Sequence, residues 1–288
     1  MHFNKMLLEH LQHRPSFKAN AWMRSLDDRK REEIEFHNFE REAVDEGVIA
    51  KQAAVDIHAN KKFYSITHSS SEYVEAWLNS WASGGVFLDY ACGNGSKAIQ
   101  AIKRGADIAI GLDISDVSIR NAKRAAQAEH VSDRCYLIQG DCEDTELPDN
   151  SIDTILCSGM LHHLDLAKAY RELFRILKPG GRVLGVEALG HNPIIQLYRD
   201  RTPHLRTEWE KNHILKKQSI LKAKEFSFEL GEVRYWHLLV LAAVPLRNSF
   251  LAKPCCGLLN ALDWILLRLP GIRLWAWQVT FELIKPAS

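Results

Sequence analysis

The stretch Gly85-Val86-Phe87-Leu88-Asp89-Tyr90-Ala91-Cys92-Gly93-Asn94-Gly95 joins a short apolar run to a glycine turn, with an acid just before the turn. An apolar run of that length suits a buried strand and is too short for a helix. Residues 96–104 then show helical spacing, so the chain must pass sharply from strand into helix. Gly93 and Gly95 sit at that sharp turn, and without Cβ atoms they let a ligand approach the main chain. The following helix would aim its N-terminal amides at that ligand.

The same rhythm repeats outward from this stretch. Residues 108–114 (IAIGLDI) read as a second strand and 118–128 as a helix. Residues 134–140 hold a third strand, CYLIQ, followed by Asp141. Residues 152–158 (IDTILCS) are a fourth strand, and a helix over 166–177 stops at Pro179-Gly180-Gly181. Residues 182–187 (RVLGVE) are a fifth. Strands alternating with helices predict an α/β, Rossmann-like, doubly wound parallel sheet with right-handed crossovers. Ligands in such sheets sit at the carboxyl ends of the strands, where Asp89, Asp113, Asp141, Ser158 and Glu187 fall. Two further strands, over 226–236 and 276–284, make the expected sheet seven-stranded and mostly parallel. The expected division is an N-terminal helical cap over 1–80 and a main domain over 81–288. A hydrophobic helical insertion at 237–275 precedes the last strand. The charge-dense stretch 27–46 reads equally as a solvated helix packed on the domain or as a lid over a pocket.

Lys+Arg number 37 and Asp+Glu 36, a balance that argues against nucleic acid as a bulk electrostatic partner. The six cysteines include no C-x-x-C pair, and no His cluster completes a zinc spacing. Reduced thiols and no metal are therefore expected. The N-terminal MHFNKMLLEH lacks the apolar run of a signal peptide. The longest apolar run, Leu238–Leu246, falls far short of the ~20 residues that span a bilayer. The expected location is the cytoplasm, with peripheral contact at the inner face of a membrane left open.

Asp113, at the end of the second strand, suits a ribose diol, because a carboxylate can accept two hydroxyl hydrogen bonds. Asp141 could accept from an adenine amino group, and Asp89 could pair with an amino group beside the turn. Gly93-x-Gly95-x-x-Ala98 also satisfies a loose dinucleotide pattern, with Asp113 twenty positions beyond Gly93. An NAD-dependent oxidoreductase is therefore the alternative on the same fold. The Asp89 acid so close to the turn, and the Gly140-Asp141-Cys142-Glu143 strand end, lean against it.

Residues 86–187 as a whole resemble the class I S-adenosylmethionine-dependent methyltransferase family. FLDYACGNG resembles its glycine-rich first motif, GLDIS its ribose-binding motif, GDCEDTELPDNSID its adenine-side motif and LKPGG the turn before its fifth strand. The resemblance implies S-adenosylmethionine as cofactor. It implies that Asp89, Gly93 and Gly95 contact the methionine and ribose portion, that Asp113 holds the ribose hydroxyls, and that Asp141 with the Cys142 amide reads the adenine. Ala91, Ile114 and Ser158 complete the implied cofactor site. Ala91 stands where the family usually has glycine, so a slightly tighter approach is expected.

Ser158-Gly159-Met160-Leu161-His162-His163 follows the fourth strand. In the family this loop lies beside the transferred methyl group, and Leu-His-His resembles the subgroup acting on small-molecule and lipid-like acceptors. His162 and His163 are the first candidates for a general base toward a hydroxyl acceptor, with His191 and Glu187 behind them; either loop histidine could instead cap a helix or shape the pocket wall. The expected activity is methyl transfer to a small-molecule or lipid-linked acceptor, by O- or C-methylation. A non-catalytic, membrane-associated S-adenosylmethionine-binding protein is the other alternative. In the insertion, Leu258, Leu262, Ile265, Leu266 and Leu269 share one helical face. Arg247, Lys253, Arg268 and Arg273 stand against a single acid, Asp263. That pattern suits a membrane surface or a lipid-like acceptor; packing on the sheet edge or a homodimer interface is the alternative.

Overall fold

The computed structural model describes residues 2–45 and 61–287, so residues 46–60 of the expected cap lie outside the described residues. Seven strands form one sheet in the order β3-β2-β1-β4-β5-β7-β6. They are β1 (Val86–Tyr90), β2 (Ile108–Asp113), β3 (Cys135–Gln139), β4 (Ile152–Ser158), β5 (Leu177–Ala188), β6 (Glu229–Trp236) and β7 (Gln278–Ile284). The first five pair in parallel. Strand β7 inserts antiparallel between β5 and β6. Strands β1 and β2 are buried along their whole length, as near-continuous apolar runs must be when helices cover both faces.

The fifth strand starts earlier than Arg182, where the sequence places it. Its pairing with β4 begins at Ile152↔Leu177 and resumes, after a register shift, at Thr154↔Arg182. The Pro-Gly-Gly turn ends the preceding helix at Ile176, and Gly180, at φ 78°, lets the chain bulge inside the strand.

Side chains of β7 alternate between two surroundings. Val279, Phe281 and Leu283 join the core on one face of the sheet. Gln278 and Glu282 meet the helix His68–Trp81 on the other. Ser70 Oγ lies 3.0 Å from Gln278 Oε1, and Trp77 Nε1–H donates to Glu282. Val74, Trp77 and Leu78 of that helix pack with Phe87, Ile99, Ala109 and Leu184. This helix belongs structurally to a covering layer of the sheet, although the sequence reading assigned most of it to the cap.

Helices α1 (His2–His13), α2 (Asn20–Ser25) and α3 (Asp28–Asp45) form the N-terminal part. Leu7 and Leu11 enter the core beside Ile138 and Leu147, each worth about 1.5–3 kcal/mol of burial. The Gln139 amide donates to the Ser16 carbonyl at 2.8 Å, which covers the β3 edge. Helix α3 is tied to the sheet layer by Asn38, which meets Ser115 Oγ at 2.6 Å and Asp116 Oδ1 at 3.0 Å.

Candidate functional site

The turn after β1 is left-handed at three positions: Ala91 (φ 61°), Gly93 (φ 52°) and Gly95 (φ 72°). A Cβ on Gly95 would meet Ala122 Cβ at 2.9 Å and Leu137 Cδ2 at 3.2 Å, so only glycine lets the turn lie this close to the next layer. Ala91 carries a Cβ in the same region at a cost of about 1 kcal/mol, which is the physical reason glycine is usual there. Asp89 lies buried beneath the turn, its Oδ2 accepting the Ala98 amide at 3.2 Å. Burial pushes the Asp89 carboxyl up to about 7; the Ala98 hydrogen bond opposes this and the nearby Asp113 carboxylate adds to it.

Asp113 ends β2 and holds the turn from the side. Its Oδ2 accepts the Gly93 amide at 2.8 Å and its Oδ1 the Ser115 amide at 2.9 Å. Beside it opens a cleft of about 160 Å³. Ala91, Asp113, Ile114, Asp141, Cys142 and Ser158 line it, whereas the anticipated Asp89, Gly93 and Gly95 do not and instead build the turn behind it. The Cys142 thiol is buried, and burial pushes its pKa well up, so it serves as wall and not as nucleophile.

The opposite wall comes from α3: Arg29, Lys30, Glu33 and His37. Lys30 Nζ meets Asp141 Oδ2 at 2.5 Å and Glu143 Oε2 at 2.9 Å. Arg29 donates to Glu143 Oε1 and to the His163 carbonyl, both at 2.6 Å. Burial works against the charge on Lys30, but the two carboxylates outweigh it and hold its pKa above the ordinary value. These four residues were not singled out from the sequence. The signal lay in the charge density of 27–46, where Glu33 and His37 are spaced one helical turn apart. Their position makes α3 one wall of the cleft. Ligand pockets commonly measure about 300–1,000 Å³, so with α3 seated the cleft is small for a nucleoside joined to an amino acid.

The two loop histidines have different surroundings. His162 is buried, and its Nδ1 lies 2.7 Å from Glu187 Oε2. Glu187, at the end of β5, also accepts the Met160 and Leu161 amides at 2.9 and 2.8 Å, so one carboxylate shapes the loop and holds the ring. Burial disfavours charge on His162, but Glu187 outweighs it and raises the pKa. His163 lines the cleft, and its ring centroid lies 4.2 Å from that of His162. Burial and the neighbouring His162 lower its pKa, outweighing the Glu33 carboxylate. His191 is not brought to the cleft lining; its Nε2 accepts the Lys217 amide at 3.0 Å and secures a loop. Arg199 is likewise buried away from it, donating to the Leu189 carbonyl.

The raised Asp89 pKa has a signed consequence. The folded chain keeps a proton that the unfolded chain releases near pH ~4, so this contribution to stability is complete below that pH and is lost as pH rises through about 7. Asp89→Asn stays neutral throughout. Urea midpoints measured from about pH 5 to about pH 8 should fall more for the parent chain than for the variant. Parallel profiles would remove the buried, proton-holding Asp89 from this picture.

A family model described as a methyltransferase domain matches residues 88–185. A sterol 24-C-methyltransferase of Aspergillus fumigatus is 38% identical over 100 residues, which are 34% of this chain and 26% of that protein. A ubiquinone/menaquinone biosynthesis C-methyltransferase of Geotalea daltonii is 32% identical over 110 residues, 37% of this chain and 47% of that protein. The chain thus spans under half the length of these relatives. In structure it is similar to the geranyl diphosphate C-methyltransferase of Streptomyces coelicolor, with a TM-score of 0.56 at 16% identity, covering 75% of this chain and 79% of that one. The antiparallel β7 between β5 and β6 also departs from the 3-2-1-4-5-6 order of dinucleotide-binding sheets. The matched segment, about a third of the chain, carries the glycine turn and the strand-end acids described above and is similar to that methyltransferase domain.

Proposed function

We propose that the chain transfers a methyl group from S-adenosylmethionine to an oxygen or carbon of a small, lipid-like acceptor. The observation that carries this reading is the meeting of the strand-end acids Asp113 and Asp141 with His163 in one cleft. The residues fit the cofactor: the turn has no room for a Cβ at Gly95, and Asp113 is fixed at the end of β2. Asp113 would hold the ribose hydroxyls, Asp141 and the Cys142 amide the adenine edge, and the turn the methionine portion above Asp89. The cofactor supplies an activated methyl on a sulfonium. The protein's task is then to hold the acceptor in line with it and exclude water. Lys30 must release or share Asp141 for the adenine to reach it.

If the acceptor is a hydroxyl, its proton needs a destination. His163 is suited, since it faces the cleft and its lowered pKa keeps it neutral, while His162 is held by Glu187 behind it. Two adjacent imidazoles pushed in opposite directions divide the roles of acceptor and support. The named relatives act on sterols and on quinone precursors, which supports a small apolar acceptor.

The insertion extends this reading to a lipid surface. Among the described residues, no helix is long and apolar enough to cross a membrane. The helix Ala252–Leu266 packs on the stretch Leu239–Leu246 through a small core of Ile66, Val240, Ala243 and Val244. Asp263 is buried and accepts the Leu238, Leu239 and Val240 amides, so the segment's only acid is hidden. Leu258, Leu262, Trp264 and Ile265 remain exposed, and Arg268 stacks over Trp264 at 3.3 Å. An apolar face with exposed Arg247, Lys253 and Arg268 around it is complementary to an anionic lipid surface.

Three measurements test these assignments. Calorimetric titration of Asp113→Ala with S-adenosylmethionine should show affinity down tens-fold or more, from a cost of about 2–4 kcal/mol; unchanged affinity would reject the cofactor site. His163→Ala should lower kcat by roughly 10²–10⁴-fold on a hydroxyl acceptor while cofactor affinity holds, and near-normal kcat would reduce the loop to a pocket wall. In flotation, the chain should rise with anionic but not neutral vesicles at low salt, and changing the exposed Leu258, Leu262 and Ile265 to serine should abolish this. A parent chain that stays in the soluble fraction, or that self-associates through this face instead, overturns the lipid assignment.

A further inference from the structure

We propose that Glu33, His37 and His163 form a binding site for a divalent transition-metal ion on the wall of the cleft. Glu33 and His37 lie one turn apart on the same face of α3, and His163 reaches them from the loop after β4. Their ligand atoms all lie within 4.8 Å of one another. Glu33 Oε2 is 3.0 Å from His163 Nδ1 and 3.5 Å from His37 Nε2. An ion bound at about 2.0–2.2 Å by nitrogen and oxygen ligands holds those atoms about 3–3.5 Å apart, which matches.

The carboxylate is built as a ligand. Thr207 Oγ1 donates to Glu33 Oε1 at 2.6 Å and fixes the group's orientation, as an outer partner of a metal ligand does. The other oxygen points at the imidazoles. Glu33 is only 5% exposed, yet neither its Oε2 nor His163 Nδ1 completes a hydrogen bond of acceptable geometry. The two atoms face each other at 3.0 Å, and a cation between them would engage a lone pair of each. Two imidazoles and one carboxylate select zinc, cobalt or iron(II) over magnesium and calcium, which take oxygen ligands. A second cluster, His162, His163 and Glu210, shares His163 and is less suited because its carboxylate faces Arg206 at 3.4 Å.

All three residues line the same cleft as Asp113 and Ser158. An ion held there keeps coordination positions open toward the cleft, where an oxygen donor such as a hydroxyl, enolate or carbonyl could bind and be polarised. It would also pin α3 to the loop after β4 by a metal bridge. With Nδ1 on an ion, His163 would carry its proton on Nε2 and not act as base, so the two roles are alternative states of one side chain; the site stands on this geometry and does not require methyl transfer.

The test uses the full chain after chelator treatment, titrated with cobalt(II) chloride and followed by the visible bands of the bound ion and by calorimetry. Binding of about one equivalent is expected, with Thr207→Val weakening it about 10–100-fold. Glu33→Gln and His37→Ala should weaken it at least as much, while His191→Ala, outside the cleft, leaves it unchanged. Thermal melts without metal establish that each variant is folded, and Thr207→Val keeps all three ligands if another variant is not. No cobalt binding by the parent chain overturns the site. So does binding that survives Glu33→Gln and His37→Ala, or that is lost in Glu210→Gln instead. S-Adenosylmethionine titration of the same metal-free protein reads the methyl-transfer assignment separately.

Discussion

The left-handed turn from Ala91 to Gly95 is the constraint on which the rest of the site depends. It reverses the chain so that β1 can end at the cleft while the next helix begins directly behind it. Gly95 must lie against Ala122 and Leu137 for this to happen. The Gly93 amide freed by the turn is taken by Asp113, so the acid assigned to the ribose is also part of the turn's own structure. The same geometry buries Asp89 under the helix start, where its carboxyl loses the solvation that would keep it charged. Asp89 is thus a structural support under the turn, while the cleft itself is lined by Ala91 and Asp113.

A second dependence runs from the other half of the sheet. Strand β7 pairs antiparallel with β5 along its length, from Arg182↔Ile284 to Ala188↔Gln278. This covers β5 and leaves Glu187 buried at its carboxyl end. One buried carboxylate then needs several donors, and it finds them in two amides and one imidazole of the loop after β4. The loop's shape therefore follows from satisfying Glu187. His163 is left to face the cleft because its neighbour has been claimed.

Much of this was legible in the sequence, and the reason is local. Strand runs, glycine turns and strand-end acids are short-range signals, so the five parallel strands and the positions of Asp113, Asp141 and Ser158 could be read directly. The start of β5 was missed because a bulge at Gly180 keeps a turn sequence inside a strand. Arg29, Lys30, Glu33 and His37 were missed for a different reason. Their roles depend on partners more than a hundred residues away, such as Asp141, Glu143 and His163, and nothing in the spacing of a charged helix names its partner. His191 shows the converse: it carries the right chemistry at a plausible distance in sequence, but the backbone amide of Lys217 engages it outside the cleft.

The cap is then best understood through the charges it covers. Asp141 and Glu143 are both buried at the end of β3, and buried carboxylates without partners are costly. Lys30 and Arg29 meet that need from α3. The contact holds α3 down, yet it engages the acid assigned to the adenine edge. Lys30 also meets Glu143 at 2.9 Å, and Arg29 meets Glu143 and the His163 carbonyl, so α3 is tied to this corner by several contacts besides the one to Asp141. The same helix is fixed again beside the histidine loop, where Glu33 meets His163 at 3.0 Å, so the two ends of the cleft wall are held by separate buried carboxylates.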